Sequence, residues 1–150
     1  MTFIQRYRAH LVLIVLSLGI FIGLYHQAFF SPNSYLFSSS GDGMKNYYTY
    51  AYQTQHADET LQFEGMNYPY SEHVLYTDNH FSLSNILRLL GVENNLIGIV
   101  NVLMLLGPII CCFFLFLVLR RLEVPEFIAI FGAIGITLLA PQVFRLDGHY

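Results

Sequence analysis

Charged side chains are scarce in this chain. Asp, Glu, Lys and Arg make up 11% of its 150 residues, whereas typical soluble domains contain about 25%. Hydrophobic residues make up 55%, and the mean hydropathy is +0.49. This balance indicates a protein of the lipid bilayer. The formal net charge of −3 and the lack of any run rich in Lys and Arg exclude nucleic-acid binding as the function.

Cysteine is equally scarce. The only two cysteines, Cys111 and Cys112, are adjacent and lie inside an apolar run. Neighbouring cysteines in a helix rarely form a disulfide, and metal sites need spaced thiolates. We therefore expect ordinary packing for both side chains, and they give no information about the redox compartment.

Three long apolar segments are present, and each predicts a transmembrane helix. Their ranges are about 10–30, 96–119 and 126–144. The first is long for a signal peptide and has no small-residue cleavage site after it, so an uncleaved signal-anchor helix is the favoured interpretation. The second is polar only at Asn101, for which we expect an interhelical hydrogen bond rather than a functional role. The third contains Pro141 near its end, which predicts unwinding there.

Basic residues predict how these segments are oriented. Four arginines flank one side of the membrane within short segments, at positions 6, 8, 120 and 121, whereas the loop 31–95 contains only Lys45 and Arg88. The positive-inside rule then places the N-terminus and the turn after Arg121 in the cytoplasm. The long loop and the tail 145–150 are predicted to share the outer face, in what we expect to be a bacterial cytoplasmic membrane.

The last six residues begin a new segment and then stop. We therefore expect the 150 residues to form a single membrane domain that is the N-terminal portion of a longer polytopic protein. The predicted fold class is an all-α membrane protein with three transmembrane helices.

The long loop predicts two short helices lying on the membrane surface. Aromatic and apolar residues recur at helical spacing over about 44–57, and a stripe of Leu83, Ile86, Leu87 and Leu90 predicts a helix over about 80–90. Between them, the segment 63–73 contains Gly65 and Pro69 and predicts turns. This is more order than a linker has.

Asp42 is the first candidate functional residue, because it stands between Gly41 and Gly43 just beyond the first apolar segment. It has two interpretations. As a helix N-cap, it would satisfy free backbone N–H groups. As a functional carboxylate, it would serve as a general base or a metal ligand, and the flanking glycines would allow close approach of a ligand.

Other candidate groups are weaker on spacing alone. Asp147 and His149, separated by Gly148, can reach one cation, although a solvated chain end is the simpler interpretation. A second cluster matches no standard metal spacing and consists of Glu72, His73, Asp78 and His80. The basic residues predicted on the outer face are candidates for holding a phosphate, and they are Lys45, Arg88 and Arg145.

Together, the Gly41-Asp42-Gly43 sequence, the two loop helices and Asp147-Gly148-His149 resemble membrane glycosyltransferases of the C superfamily (GT-C fold). The oligosaccharyltransferases and protein mannosyltransferases belong to this superfamily. The pattern also looks like that of YfhO-like bacterial membrane proteins. In the oligosaccharyltransferase branch, an acidic D-x-D or D-x-H sequence after the third span helps to bind a divalent metal.

This resemblance implies transfer of a sugar from a polyprenyl-phosphate donor to an acceptor at the outer face. Asp42 would activate the acceptor, and Mg²⁺ or Mn²⁺ would be held by Asp42, Asp147 and His149. The partners would be the bilayer, the donor lipid and the later spans, without which the 150 residues would be inactive. The alternatives are a non-enzymatic multispan protein, such as a transporter part or a lipid-handling factor, and a plain anchor for an outer binding loop.

Overall fold

The fold is described from a computed structural model that covers residues 3–56, 59–67, 69–77, 81–92, 94–144 and 146. It is mostly helical. The helices are α1 (Phe3–Leu24), α2 (His26–Phe30), α3 (Gly41–His56), α4 (Phe81–Leu89), α5 (Leu96–Arg121), α6 (Glu126–Leu138) and α7 (Pro141–Phe144). Single 3₁₀ turns lie at Pro32–Ser34 and Val74–Tyr76, and two short strands, β1 (Gln62–Phe63) and β2 (Glu72–His73), pair antiparallel.

The three long apolar helices pack side by side. α5 and α6 are joined by a tight turn in which Glu123 has a φ of 61° and the Arg120 guanidinium donates to the Val124 carbonyl at 2.6 Å. The first half of α1 lies against this pair. The buried side chains of this contact are Ala9, Leu13, Cys112, Phe116, Ala129, Ile130, Ala133 and Ile134.

Two of these helices are long and apolar enough to cross a membrane, over Tyr7–Leu24 and Leu96–Arg121. Within an 18-residue apolar window of each helix, only 22% of the residues are buried within the protein. The core helix of a soluble protein would be mostly buried, so this exposure favours a lipid environment. Ala9 and Leu13 of α1 also contribute to the buried contact with α5 and α6, which a signal sequence alone would not need to do.

The third predicted span is not confirmed. α6 has 13 residues, which is ~20 Å of helix and less than the ~30 Å of a hydrocarbon core. The helix ends at Leu138, two residues before Ala140, and α7 begins anew at Pro141. Pro141 has no backbone N–H, so the helix breaks earlier than the sequence predicted.

The long loop forms a small layer on the end of the bundle where α5 begins. One face of α3 packs against α4 and the first turns of α5. The buried residues of this contact are Tyr47 and Tyr50 of α3, Leu87 of α4, and Leu96 and Val100 of α5. On another side of α3, Tyr48 and Tyr52 contact the ring of Phe63 in β1. The helices predicted over 44–57 and 80–90 are thus present as α3 and α4, and a short strand pair lies in the segment where only turns were expected.

The apolar stripe of α4 does not face one surface. Leu87 is buried and Leu83 is partly buried, and both pack against α3 and α5. Ile86 and Leu90 are exposed. Only part of the stripe that was predicted to lie on the membrane is therefore available to it.

Candidate functional site

Asp42 lies on the surface at the start of α3. The helix begins at Gly41, whose φ of 60° is left-handed and therefore favours glycine. Asp42 is the next residue and is exposed, so it sits within the first helical turn instead of preceding the helix as an N-cap. A carboxylate in that turn lies near free backbone N–H groups and is stabilised by the helix dipole.

Lys45 follows Asp42 by three residues on the same helix and is partly buried. Side chains at this spacing are neighbours on a helix surface. One predicted carboxylate and one predicted phosphate-binding cation are therefore helix neighbours in the first turns of α3.

Arg88 is placed elsewhere. Its guanidinium donates to the Thr60 hydroxyl at 3.4 Å, in the chain that leaves the far end of α3. The Thr60 carbonyl accepts from Gln53 at 3.5 Å, and Gln53 lies eleven residues beyond Asp42, or ~16 Å along a helix axis. Arg88 thus ties α4 to the chain that follows α3, and its phosphate-binding role stays a prediction.

The tail residues Arg145, Asp147 and His149 lie outside the described residues. Their neighbour Leu146 is described and is buried against Ala28, Phe37 and Leu105. Phe37 is five residues before Asp42. The chain at Leu146 therefore returns to the end of the bundle from which the long loop starts.

No group of three His, Cys, Asp or Glu side chains that could hold a metal ion exists in the part of the chain that the structure describes. Asp42 is the single described member of the predicted ligand set. In the second cluster, Glu72 and His73 are described, and His73 Nδ1 accepts from the backbone N–H of Leu75 at 3.3 Å. Asp78 and His80, the other members of that cluster, lie outside the described residues.

Asn101 ties the loop to α5. Its amide nitrogen donates to the carbonyls of Pro32 at 2.7 Å and Tyr35 at 2.6 Å. Its amide oxygen accepts from the Tyr47 hydroxyl of α3. The side chain is fully buried, so these contacts satisfy a polar group that would otherwise be costly to bury. The structural interpretation of Asn101 is confirmed.

Asn33 makes a second hydrogen-bonded contact between the loop and α5, which was not predicted from the sequence. Its amide oxygen accepts from the backbone N–H of Gly98 at 2.8 Å, and its amide nitrogen donates to the Asn95 side chain at 2.8 Å. In the sequence, Gly98 is the residue that indicates this contact. A glycine in the first turn of an apolar helix often marks a close approach of another chain segment.

A polar seam lies between α3 and α4. Gln53 and Asn85 both donate to the carbonyl of Thr60, while their amide oxygens are buried and have no hydrogen-bond partner among the described residues. The Tyr50 hydroxyl is also buried, and it has no hydrogen-bond partner in the described part of the chain. Burial raises the pKa of Tyr50 to about 12, because the charged phenolate is poorly solvated there.

No protein-family model matches this chain, and neither a curated protein nor a solved structure is significantly similar to it. The geometry must therefore carry any functional argument. An exposed carboxylate on a helix that is held firmly against a membrane-length helix can accept a proton from a bound nucleophile. The neighbouring Lys45 can attract an anionic group.

Proposed function

We propose that the chain is the N-terminal part of a membrane glycosyltransferase that uses a polyprenyl-phosphate-linked sugar donor at the outer face. Asp42 is the acceptor-activating residue in this proposal. The observation that carries it is the exposure of Asp42 on the first turn of α3, a helix tied to the membrane-length helix α5 through Tyr47 and Asn101.

Rigidity is the first support. Catalytic groups act efficiently when the surrounding structure holds them in place. Tyr47 is five residues from Asp42 on the same helix, and its buried bond to Asn101 fixes α3 against α5. A solvated loop end would need no such anchor.

The position of the tail is the second support. Leu146 is buried in the cluster that contains Phe37, near the start of the long loop. In the sequence, Asp147 follows Leu146 directly and His149 comes two residues later. A divalent ion held by Asp42, Asp147 and His149 belongs to the same proposal, and the ion would stabilise charge on a phosphate leaving group.

In the proposed reaction, the Asp42 carboxylate accepts the proton of the acceptor nucleophile as that nucleophile attacks the sugar. Lys45 and Arg145 supply positive charge for the phosphate of the donor lipid. Arg88, which also donates to Thr60, is the third cation of this proposal.

The test is Asp42→Asn in the full-length protein, with sugar transfer from a polyprenyl-phosphate donor measured in membranes. We expect loss of transfer with unchanged membrane insertion, because Asn keeps the shape of the side chain but cannot accept the proton. Glu64→Gln, at another exposed acidic residue of the same loop, is the matched control and should retain activity. Transfer by the Asn variant at the wild-type rate would refute the assignment and leave the non-enzymatic alternatives.

A further inference from the structure

A shallow groove of about 390 Å³ runs along the first turns of α5. Its wall is almost entirely apolar, and its volume is within the ~300–1,000 Å³ range of small-molecule sites. Ile99, Val102 and Leu103 form the apolar part, and the Asn33–Asn95 amide pair lies at one end. The complete lining is Pro32, Asn33, Asn95, Gly98, Ile99, Val102 and Leu103.

Gly98 and Asn33 fix the shape of this groove. A Cβ atom added to Gly98 would lie 2.5 Å from Asn33 Oδ1, which is closer than real contacts allow. The absence of a side chain at position 98 therefore lets Asn33 cross the helix and accept from the Gly98 N–H. The polar end of the groove is held in place by these hydrogen bonds.

The length of α5 indicates where this groove lies in a membrane. Its 26 residues span ~39 Å, and the hydrocarbon core is ~30 Å thick, or about 20 residues. Arg120 and Arg121 mark the boundary at one end. Twenty residues counted back from Leu119 reach Val100, so Val102 and Leu103 fall inside the hydrocarbon, and Asn95 falls in the headgroup region.

We propose that this groove binds one acyl chain of a bilayer phospholipid. The chain lies on Val102 and Leu103, and the glycerol ester carbonyl accepts hydrogen bonds from the amide N–H groups of Asn95 and Asn33. Asn95 is exposed at the groove end. The two amides are uncharged donors, which suits a neutral ester oxygen.

This binding site is independent of the proposed transferase activity. It depends only on the groove and on α5 being surrounded by lipid. A soluble peptide or metabolite would have no access to Val102 and Leu103 at this depth. A phospholipid has both the apolar chain for the wall and the polar ester for the end.

The experiment is native mass spectrometry of the full-length protein released from a mild detergent. We expect one phospholipid per wild-type chain. Leu103→Trp, which fills the groove, should lose this lipid, and Val102→Phe should do the same from the neighbouring position on α5. Val118→Trp is the matched control, because Val118 is similarly exposed (53%, against 46% for Leu103) but lies outside the groove near the other end of α5.

The control should keep the lipid. A wild-type chain without bound phospholipid would overturn the proposal, and so would equal retention by all four proteins. Because Leu103 and Val102 are both exposed, the larger side chains do not crowd the protein core. An unchanged melting temperature for each variant confirms that any loss of lipid arises at the groove.

Discussion

At the scale of single residues, two buried tyrosines on α3 use their hydroxyl groups differently. Tyr47 is 4% exposed, donates to Asn101 and accepts from the backbone N–H of Phe37 at 3.4 Å. Tyr50 is 2% exposed, and its hydroxyl has no partner among the described residues. A buried hydroxyl stabilises a fold only when it is hydrogen-bonded. The two residues therefore form a matched pair for mutation.

We expect Tyr47→Phe to lower the free energy of unfolding by about 1–3 kcal/mol, because the buried oxygen of Asn101 loses its donor. Tyr50→Phe should leave the stability unchanged or raise it, because the buried hydroxyl loses its contact with water on folding and gains no hydrogen bond among the described residues. Chemical unfolding of the full-length protein in detergent, followed by circular dichroism, measures both. Equal destabilisation by the two substitutions would contradict the assigned contacts.

The raised pKa of Tyr50 predicts a loss of stability in alkali. Tyrosine in the unfolded chain ionises near pH 10.0, and burial moves the pKa of Tyr50 to about 12 in the folded state. The unfolded chain therefore releases its proton first as the pH rises. Ionisation of Tyr50 therefore leaves the free energy of unfolding unaffected below about pH 10 and lowers it between about pH 10 and 12.

Tyr50→Phe should make that decline shallower, and pH-dependent unfolding of the two proteins measures the difference. Tyr70 is 84% exposed, so Tyr70→Phe is the control and should follow the wild-type curve. If the Tyr50 and Tyr70 variants behave alike, ionisation of Tyr50 is not coupled to folding.

At the scale of secondary-structure elements, the start of α5 depends on a glycine. Gly98 admits Asn33 against the helix, while Gly107 in the same helix has no atom near the position of an added Cβ. Alanine is the better helix former of the two residues by ~1 kcal/mol. The same substitution should therefore have opposite effects at the two positions.

We expect Gly98→Ala to lower the stability by roughly 1–3 kcal/mol, because the new Cβ displaces Asn33 and breaks its bonds to Gly98 and Asn95. Gly107→Ala should be neutral or stabilising. Melting temperatures measure both effects. In a double-mutant cycle, Gly98→Ala should cost much less when Asn33 is already alanine. An undiminished cost in that background would show that the Asn33 contact is not the cause.

At the scale of the whole molecule, local patterns predicted the elements better than their contacts. α5 was predictable because a long apolar run ending at two arginines leaves few alternatives. Two helix boundaries differ from the prediction. α3 begins at Gly41, which has a left-handed φ, and α6 ends at Leu138, shortly before Pro141. Gly98 marks a close approach of another segment, but no local pattern identifies its partner Asn33, which is 65 positions away. The contact between Arg88 and Thr60 joins residues 28 positions apart and was hidden for the same reason.

The topology of α6 and α7 decides whether Asp42 and the tail share a face. Leu146 packs against Phe37 at the loop end of the bundle. We therefore expect the chain to have crossed the membrane by Pro141, although α6 alone has only 13 residues. The Leu139 N–H donates to the Gly135 carbonyl and caps α6, and the Val143 N–H of α7 donates to the Ala140 carbonyl after the break.

Cysteine labelling of the full-length protein in intact cells tests this topology, after Cys111 and Cys112 are replaced by serine. Ser39→Cys and Pro141→Cys, both at exposed positions, should react with a membrane-impermeant maleimide from outside. Leu122→Cys, at a position that is 69% exposed in the α5–α6 turn, should react only after permeabilisation. If Pro141→Cys behaves like Leu122→Cys, α6 does not cross, the tail lies opposite Asp42, and the shared site is impossible.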